Sequence, residues 1–148
     1  MAEQNLNDFN LNDWNRQIIE EFRTHEGKVG GPFEGTTLLL LTTTGARSGQ
    51  KRINPLTSLL DGERLFIFAG NGGGPSNPDW YYNLIAHPQV MVEIGTEQFE
   101  ATAVFVEGEE RDQIFAKEVQ HHPAVADFEK KTTRKIPVVE LVRRKSSW

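Results

Sequence analysis

Residues 42–56, TTTGARSGQKRINPL, indicate the fold because they place a small, polar turn between two strand-like segments. The apolar run at residues 38–41 leads into the turn and predicts an interior strand that is apolar on both faces. Glycines bound the turn at residues 45–49, and a second strand is expected from 51 to 60. Cations are concentrated here although the chain has a net charge of −5: Arg47, Lys51 and Arg52. The stretch therefore predicts a β-hairpin with a local positive charge.

The composition is that of a soluble globular protein. Hydrophobic residues make up 37% and charged residues 25% of the 148 residues, which favours one domain over residues 1–148. No apolar run approaches roughly 20 residues, so no integral membrane segment is expected. The chain has no cysteine and no pattern of a secretory signal, so a cytoplasmic location is expected. The net charge of −5 argues against nucleic-acid binding.

Periodicity predicts an antiparallel barrel with helices around it. Residues 1–11 are expected to be flexible, and residues 12–26 carry apolar side chains at helical spacing. Further strands are predicted at 36–44, 51–60, 64–69 and 136–142, a hairpin at 90–106, and helices at 79–87, 107–120 and 123–132. Because tight turns join most of the strands, the pattern favours an α+β fold built on a barrel over a parallel doubly wound sheet.

The basic turn has the groups that hold a phosphate or a carboxylate. Its glycines let backbone N–H groups be exposed, Ser48 adds a hydroxyl, and the guanidinium groups of Arg47 and Arg52 suit phosphate. A solvated turn with incidental charges remains the alternative. In the following strand Arg52, Asn54 and Leu56 share one side, which predicts a groove along that side, and Pro55 marks an edge or a bulge.

A glycine-rich stretch, GNGGGPSNPDWYYN at residues 70–83, predicts a second wall for such a groove. Glycines permit a close approach of the backbone, and the start of the following helix favours negative charge. The alternative for the aromatic residues of this helix is packing at helical spacing on the core. Metal binding is not expected, because adjacent His121 and His122 point in different directions and no further ligands lie at suitable spacing.

Three stretches together resemble one known family, the deazaflavin-dependent nitroreductases, which are small actinobacterial oxidoreductases that use coenzyme F420. They are TTTGARSGQKRINPL, FAGNGGGPSNPDWYYNLIAHPQVMVEIG and TTRKIPVVEL, and the resemblance runs over residues 36–141. It implies a split β-barrel of the FMN-binding type, similar to the folds of flavin reductases and pyridoxamine oxidases.

The resemblance also implies where the cofactor binds. The phosphate and polyglutamate tail would meet the basic turn, and the deazaflavin ring would lie along the strand that follows it. The end of the third strand and the first turns of the next helix would complete the cleft. The implied cofactor-binding residues are Ala46, Arg47, Ser48, Gly49, Lys51, Arg52, Ile53, Asn54, Pro55, Leu56, Phe68, Ala69, Gly70, Asn71, Asp79, Trp80, Tyr81, Tyr82 and Asn83.

The chain departs from the family pattern where the substrate is expected. Asn71 stands where many members have lysine, and it brings no charge. In HPAVADF, His122 and Phe128 stand at two tyrosine positions of the nitroreductases, and Val125 stands where another tyrosine can occur. Phe128 cannot donate a proton, so His122 is the expected donor. The expected substrate pocket consists of Trp14 on the N-terminal helix, Val125 and Phe128.

The sequence therefore predicts an enzyme that passes hydride from reduced F420 to an electron-poor organic acceptor: a quinone, an activated enone or a nitroaromatic. One alternative keeps the fold and binds FMN instead. Another is a non-catalytic F420-binding or carrier protein, because Phe128 replaces a family tyrosine. The partners expected are a small-molecule substrate, with no nucleic acid and with peripheral membrane contact left open, for a monomer or a homodimer.

Overall fold

The computed structural model describes residues 11–30, 37–70, 76–130 and 135–144. Within these ranges the predicted strands and helices are confirmed, with bounds within a few residues of those expected. The segment predicted to be flexible lies outside the described residues except for Leu11, which begins the first helix. In chain order the elements are α1 (Leu11–Thr24), β1 (Thr37–Thr44), β2 (Lys51–Asp61), β3 (Arg64–Phe68), α2 (Asp79–Ala86), β4 (Gln89–Ile94), β5 (Glu97–Val106), α3 (Gly108–His121), α4 (Ala124–Lys130) and β6 (Val138–Arg143).

The strands form a closed antiparallel barrel in the order β1-β2-β3-β6-β5-β4. Hairpins join β1 to β2, β2 to β3 and β4 to β5, as their turn residues predict. Side chains that alternate inward from these strands fill the barrel, and α2 closes one end with Trp80 and Leu84. The α+β fold class and the antiparallel barrel with surrounding helices are thereby confirmed.

The apolar run in β1 serves two separate cores, which explains why it does not alternate with polar residues. Leu39 and Leu41 point into the barrel. Leu38 and Leu40 point outward and pack beneath α1, where they meet Ile18 and other apolar residues of the helix. Because both faces of β1 are covered, the strand is apolar throughout.

A buried arginine joins α3, α4 and the start of β6. The side chain of Arg111 on α3 is 7% exposed, and its Nη2 donates to Glu129 Oε2 on α4 at 2.6 Å and to the carbonyl oxygen of Ile136 at 2.7 Å. The same Glu129 oxygen accepts the N–H of Ile136 at 3.1 Å. The guanidinium also lies 4.4 Å from the ring centre of Phe115. This network sets the position of α4, which carries Val125.

Candidate functional site

The barrel is split between β2 and β3. β2 pairs with β1 from Lys51 to Ser58, but its ladder with β3 runs over Leu59–Asp61. Beyond that ladder, β3 pairs with β6 through Phe68. In the part of the chain that the structure describes, the edge of β2 away from β1 therefore has no ladder partner over residues 51–58. We call this opening the β2–β3 fork.

The outer face of β2 is covered at both ends and partly open between them. Ile53 packs with Trp14 in the cluster beneath α1. Leu59 lies in the cluster beneath α3, which also includes Phe68 and Val125 at its margin. Between these clusters Pro55 and Thr57 are only partly buried. The opening thus has one apolar wall that includes Trp14 and another that includes Val125.

On the side of β2 for which a groove was predicted, the exposure of the side chains differs from one position to the next. Leu56 packs against the residues that fill the barrel, because even-numbered positions of β2 point inward at this level. Asn54, on the same side, is half-buried, and Arg52 is exposed at the end of the strand. This side of β2 is therefore exposed at its start and partly buried at Asn54 and Leu56.

The basic turn at the start of β2 is exposed and held by its own hydrogen bonds. Gly45 N–H donates to the carbonyl oxygen of Gln50 at 2.8 Å, and Gly49 N–H donates to the carbonyl oxygen of Gly45 at 3.0 Å. Gln50 N–H donates to Ser48 Oγ at 3.1 Å. A Cβ at Gly45 would collide with that hydroxyl oxygen, and Gly49 has a φ of +70°. These bonds give the turn one conformation before any ligand arrives.

The cations of the turn are available to an anion. Lys51 Nζ donates to Thr44 Oγ1 at 2.8 Å, which keeps the ammonium beside the turn. Arg47 and Arg52 are exposed, and among the described residues neither forms an ion pair with a carboxylate. Arginines elsewhere on the chain do pair with carboxylates: Arg23, Arg64, Arg111, Arg143 and Arg144. The unpaired guanidinium groups therefore fit a phosphate or carboxylate ligand.

Asn83 connects the turn to α2. Its side chain is buried, its Oδ1 accepts the N–H of Ala46 at 3.0 Å, and its Nδ2 donates to Thr43 Oγ1 at 3.1 Å. Trp80, one turn earlier, is buried among the residues that fill the barrel. Both residues were expected at the cofactor. The hydrogen bonds of Asn83 hold α2 and the turn together, while Trp80 packs in the barrel interior.

We expect Asn83→Ala to lower the free energy of unfolding by about 2 kcal/mol, because the replacement leaves two buried or half-buried groups without partners. The Ala46 N–H should then exchange with solvent faster, since its acceptor is lost. Denaturant unfolding and amide hydrogen exchange would measure the two effects. Ile85→Ala is a matched control, because Ile85 lies on the same helix and is 56% exposed. Equal losses for the two variants would contradict the role given to Asn83.

The end of β3 carries three of the remaining residues expected at the cofactor. Phe68 is half-buried and meets Phe115 edge-on, with ring centres 6.4 Å apart. Ala69 and Gly70, which follow it, are buried, and Ala69 N–H donates to the carbonyl oxygen of Pro137 at 3.0 Å. Asn71 lies outside the described residues.

On α2 the tyrosines differ in environment. Tyr82 is 46% exposed, and Asp79 at the start of the helix is also exposed. Tyr81 is half-buried, with edge-on contacts to Tyr82 and Phe105 at 5.7 Å between ring centres. Burial, followed by the nearby Tyr82 and Glu107, raises the pKa of Tyr81. Tyr81 therefore stays a neutral phenol over the physiological pH range.

His122 has a buried partner, Glu118, which was not among the residues expected at the site. The ring follows the last residue of α3 and is 26% exposed, and its Nδ1 lies 3.1 Å from Glu118 Oε2. The four-residue spacing of Glu118 and His122 on a predicted helix is the signal that could have indicated this pair. Phe128 lies in α4, and its side chain is outside the described part of the structure.

No helix of the described residues combines the length and the apolar character needed to cross a bilayer. The N-terminal helix α1 has 14 residues and packs its apolar side against β1 and β2.

The opening at the β2–β3 fork combines an exposed cationic turn, a strand edge without a ladder partner among the described residues, and two apolar walls.

Comparisons with known proteins agree with one another. The family model described as F420H(2)-dependent quinone reductase matches residues 14–143. The F420H(2)-dependent quinone reductase Rv1261c of Mycobacterium tuberculosis is 35% identical over 127 residues, which cover 83% of this chain and 85% of that protein. The solved structure of F420-H2 dependent reductase FDR-A is 39% identical with a TM-score of 0.66, covering 71% of this chain and 93% of that one. A structure described as a domain-swapped dimer is 35% identical with a TM-score of 0.68, covering 89% and 99%.

Proposed function

Because this chain belongs to the F420H(2)-dependent quinone reductase family, we propose that it uses reduced coenzyme F420 to transfer hydride to a quinone. The observation that carries the proposal is the continuity of the site. An exposed turn with unpaired Arg47 and Arg52 leads directly into the open edge of β2. A cofactor with an anionic tail and a flat ring needs this combination of cation and open, partly apolar surface.

In this proposal the turn holds the anionic tail. Ser48 Oγ already accepts a backbone N–H, so its hydroxyl hydrogen remains free to donate to a phosphate oxygen. Arg47 and Arg52 supply charged donors on the same exposed surface, and Lys51 adds a further positive charge. Since the turn is ordered by its own hydrogen bonds, less conformational entropy is lost when the tail binds.

The strand and the two apolar walls hold the ring and exclude water. When bound, the reduced deazaflavin supplies the hydride from its C5 atom. Ile53, Asn54 and Pro55 are partly exposed along β2, and the open edge offers backbone groups to the polar side of a ring. Trp14 and Phe68 belong to the apolar clusters on either side. These groups orient a flat ligand and shield the reaction from solvent.

The acceptor is proposed to lie against α4. Val125 packs at the margin of the cluster beneath α3, so this part of the wall is apolar where the nitroreductases can have a tyrosine. An apolar wall suits a quinone ring, which has few polar groups. His122, three residues earlier, is the proposed donor of the proton that a reduced quinone oxygen requires. Phe128 is proposed to extend the pocket, and enones and nitroaromatics remain acceptors to be tested.

Binding and turnover together test the function. The purified protein is titrated with F420 and with FMN while the fluorescence of its three tryptophans is followed, and a quinone is then added to the reduced complex. We expect F420 to quench the fluorescence at micromolar concentrations and the quinone to oxidise the bound cofactor. Binding of FMN without F420 would favour the FMN-dependent alternative. F420 binding without turnover on quinones, enones and nitro compounds would favour a carrier.

The proposal also covers the cell compartment and the oligomeric state. We propose a cytoplasmic enzyme that works as a monomer or a homodimer, and the similar structure described as a domain-swapped dimer supports testing for the dimer. Contact with a membrane surface would give access to a lipid-soluble quinone. Helix α1 carries Glu20 and Glu21 against Arg16 and Arg23, so a strongly anionic surface is not the partner expected. Sedimentation with neutral and anionic vesicles would measure this contact.

A further inference from the structure

Glu118 is a buried acid that the packing of the fold does not require. Its side chain is 2% exposed and lies on the inner side of α3, where Ile114 and Phe115 belong to an apolar cluster. Oε2 contacts His122, but Oε1 is buried and has no hydrogen-bond partner among the described residues. Burial of a carboxyl group with one unsatisfied oxygen is unfavourable. A role outside stability is therefore the better explanation for an acid at this position.

The pair is held rigidly within one helical turn. The backbone N–H of His122 donates to the carbonyl oxygen of Glu118 at 2.7 Å and ends α3. The ring Nδ1 lies 3.1 Å from Glu118 Oε2. Among the described residues the other ring nitrogen, Nε2, makes no hydrogen bond, and the side chain is 26% exposed. One nitrogen is thus committed to the buried acid, and the other can exchange a proton.

The pair stands at the α3–α4 side of the β2–β3 fork. Val119 on α3 and Val125 on α4 pack at the margin of the same apolar cluster as Phe68 at the end of β3. His122 lies between these two valines in the chain, and its carbonyl oxygen accepts the N–H of Val125 at 3.0 Å. His122 therefore lies in the connection between α3 and α4, three residues before Val125 of the wall against which the acceptor is proposed to lie.

We propose that Glu118 is the positioning residue for His122: it accepts a hydrogen bond from Nδ1–H and leaves Nε2 to deliver the proton that quinone reduction consumes. This inference rests on the proposed function. In the proton-transfer step the Nε2–H bond breaks and an O–H bond forms on the reduced, anionic quinone oxygen. The imidazolium becomes a neutral imidazole that keeps its Nδ1–H on Glu118, and Nε2 regains a proton from water.

The electrostatic surroundings suit this role. Burial raises the pKa of Glu118, while the hydrogen bond and the charge of His122, and to a smaller extent His121, act to lower it. Glu118 and the imidazole therefore interact directly, as a positioning role requires.

Glu118→Gln keeps the shape of the side chain and removes its charge. We expect kcat with a quinone to fall about 10- to 100-fold, because a correctly positioned general acid contributes roughly 100-fold or more to the rate. The KM for the quinone and the affinity for F420 should change little. His122→Gln should lose a similar factor. The double variant should lose no more than the worse single variant, as expected for residues that act as a unit.

A readout that does not need turnover is the state of the His122 ring. Nitrogen-15 NMR of the wild type should show a protonated Nδ1 in a hydrogen bond with a carboxyl group, and Glu118→Gln should change the balance of the two tautomers. Glu110→Gln is the matched control, since Glu110 lies on the same helix and pairs with Arg64 at the exposed surface. This control should alter neither the ring signals nor kcat.

Measurements of stability distinguish a positioning role of Glu118 from a structural role. The pKa of Glu118 is raised in the native state. In the pH interval between its ordinary pKa and the raised one, the native state therefore binds more protons than the unfolded state. Stability from this group therefore falls as pH rises through that interval, and Glu118→Gln should remove the fall. At neutral pH we expect the Tm of the variant to be unchanged or raised.

The possible results of these experiments distinguish a failure of the role given to Glu118 from a failure of the proposed function. Normal kcat in Glu118→Gln, with unchanged ring signals, would overturn the inference while leaving the proposed function intact. A loss of kcat that accompanies a large drop in Tm would also overturn it, because the acid would then be structural. A wild-type protein that binds F420 but reduces no quinone would overturn the proposed function, and with it proton delivery, even if the NMR result held.

Discussion

Arg111→Ala is expected to lower the free energy of unfolding by about 3 kcal/mol, because it removes a buried guanidinium and its hydrogen bonds to the half-buried Glu129 and to a carbonyl group. The replacement leaves Glu129 without its charged partner and the carbonyl oxygen of Ile136 without its side-chain donor. It also removes the guanidinium from the face of Phe115. Urea unfolding followed by fluorescence would measure the change, and the domain is expected to unfold well below the wild-type midpoint.

Arg64→Ala is the control for this prediction. Arg64 also pairs with two carboxylates, Glu140 and Glu110, but its side chain is 43% exposed. Exposed ion pairs contribute little to stability, so the control should lose far less stability than the Arg111 variant. Similar losses for the two variants would show that burial of the Arg111 network does not hold α4 in place.

The double variant Arg47→Ala/Arg52→Ala is expected to weaken F420 binding about 100- to 1000-fold, since two hydrogen bonds to charged groups at exposed positions contribute about 1.5–2 kcal/mol each. The physical reason is the loss of both unpaired guanidinium groups beside the tail. Fluorescence titration at low and at high salt would measure the effect, and the dependence of affinity on salt should become weaker in the variant.

Two controls test whether the loss comes from the tail. A deazaflavin without the phosphate and glutamate groups should bind the wild type and the double variant with similar affinity. Arg143→Ala/Arg144→Ala changes the net charge by the same amount at a place where both arginines already pair with carboxylates, Glu97 and Glu100. An equal loss of F420 affinity in this second variant would point to net charge and contradict a specific tail site.

Much of the fold follows from short-range patterns. Three such patterns determine the structure of only the few residues next to them. They are the alternation in residues 97–106, the turn residues between β1 and β2, and the proline that ends α2. The resemblance to a family supplied the arrangement of the barrel, which periodicity alone leaves as one of several antiparallel folds. Comparison with known proteins then confirmed the family.

The candidate site could be predicted only in part. The basic turn was visible because its cations lie close together in the sequence. The inward orientation of Leu56 and the burial of Trp80 were not visible, because they depend on how β2 and α2 meet the remaining strands. Asn83 was expected at the cofactor, and the structure adds that its amide joins α2 to Thr43 and to the turn.

The sequence by itself determined which segments become strands and helices and where positive charge collects, because propensity, alternation and turn chemistry are local. The tertiary structure decided which polar side chains lose their water. Arg111 and Glu118 are both charged residues on one helix that the sequence presents as mostly polar, yet packing against the barrel buries both. Arg111 finds its partners in α4 and before β6, whereas Glu118 keeps one oxygen unpaired beside His122. Burial makes the first a support of the fold and the second a candidate for chemistry, because the energy of a charge depends on its surroundings and not on its place in the chain.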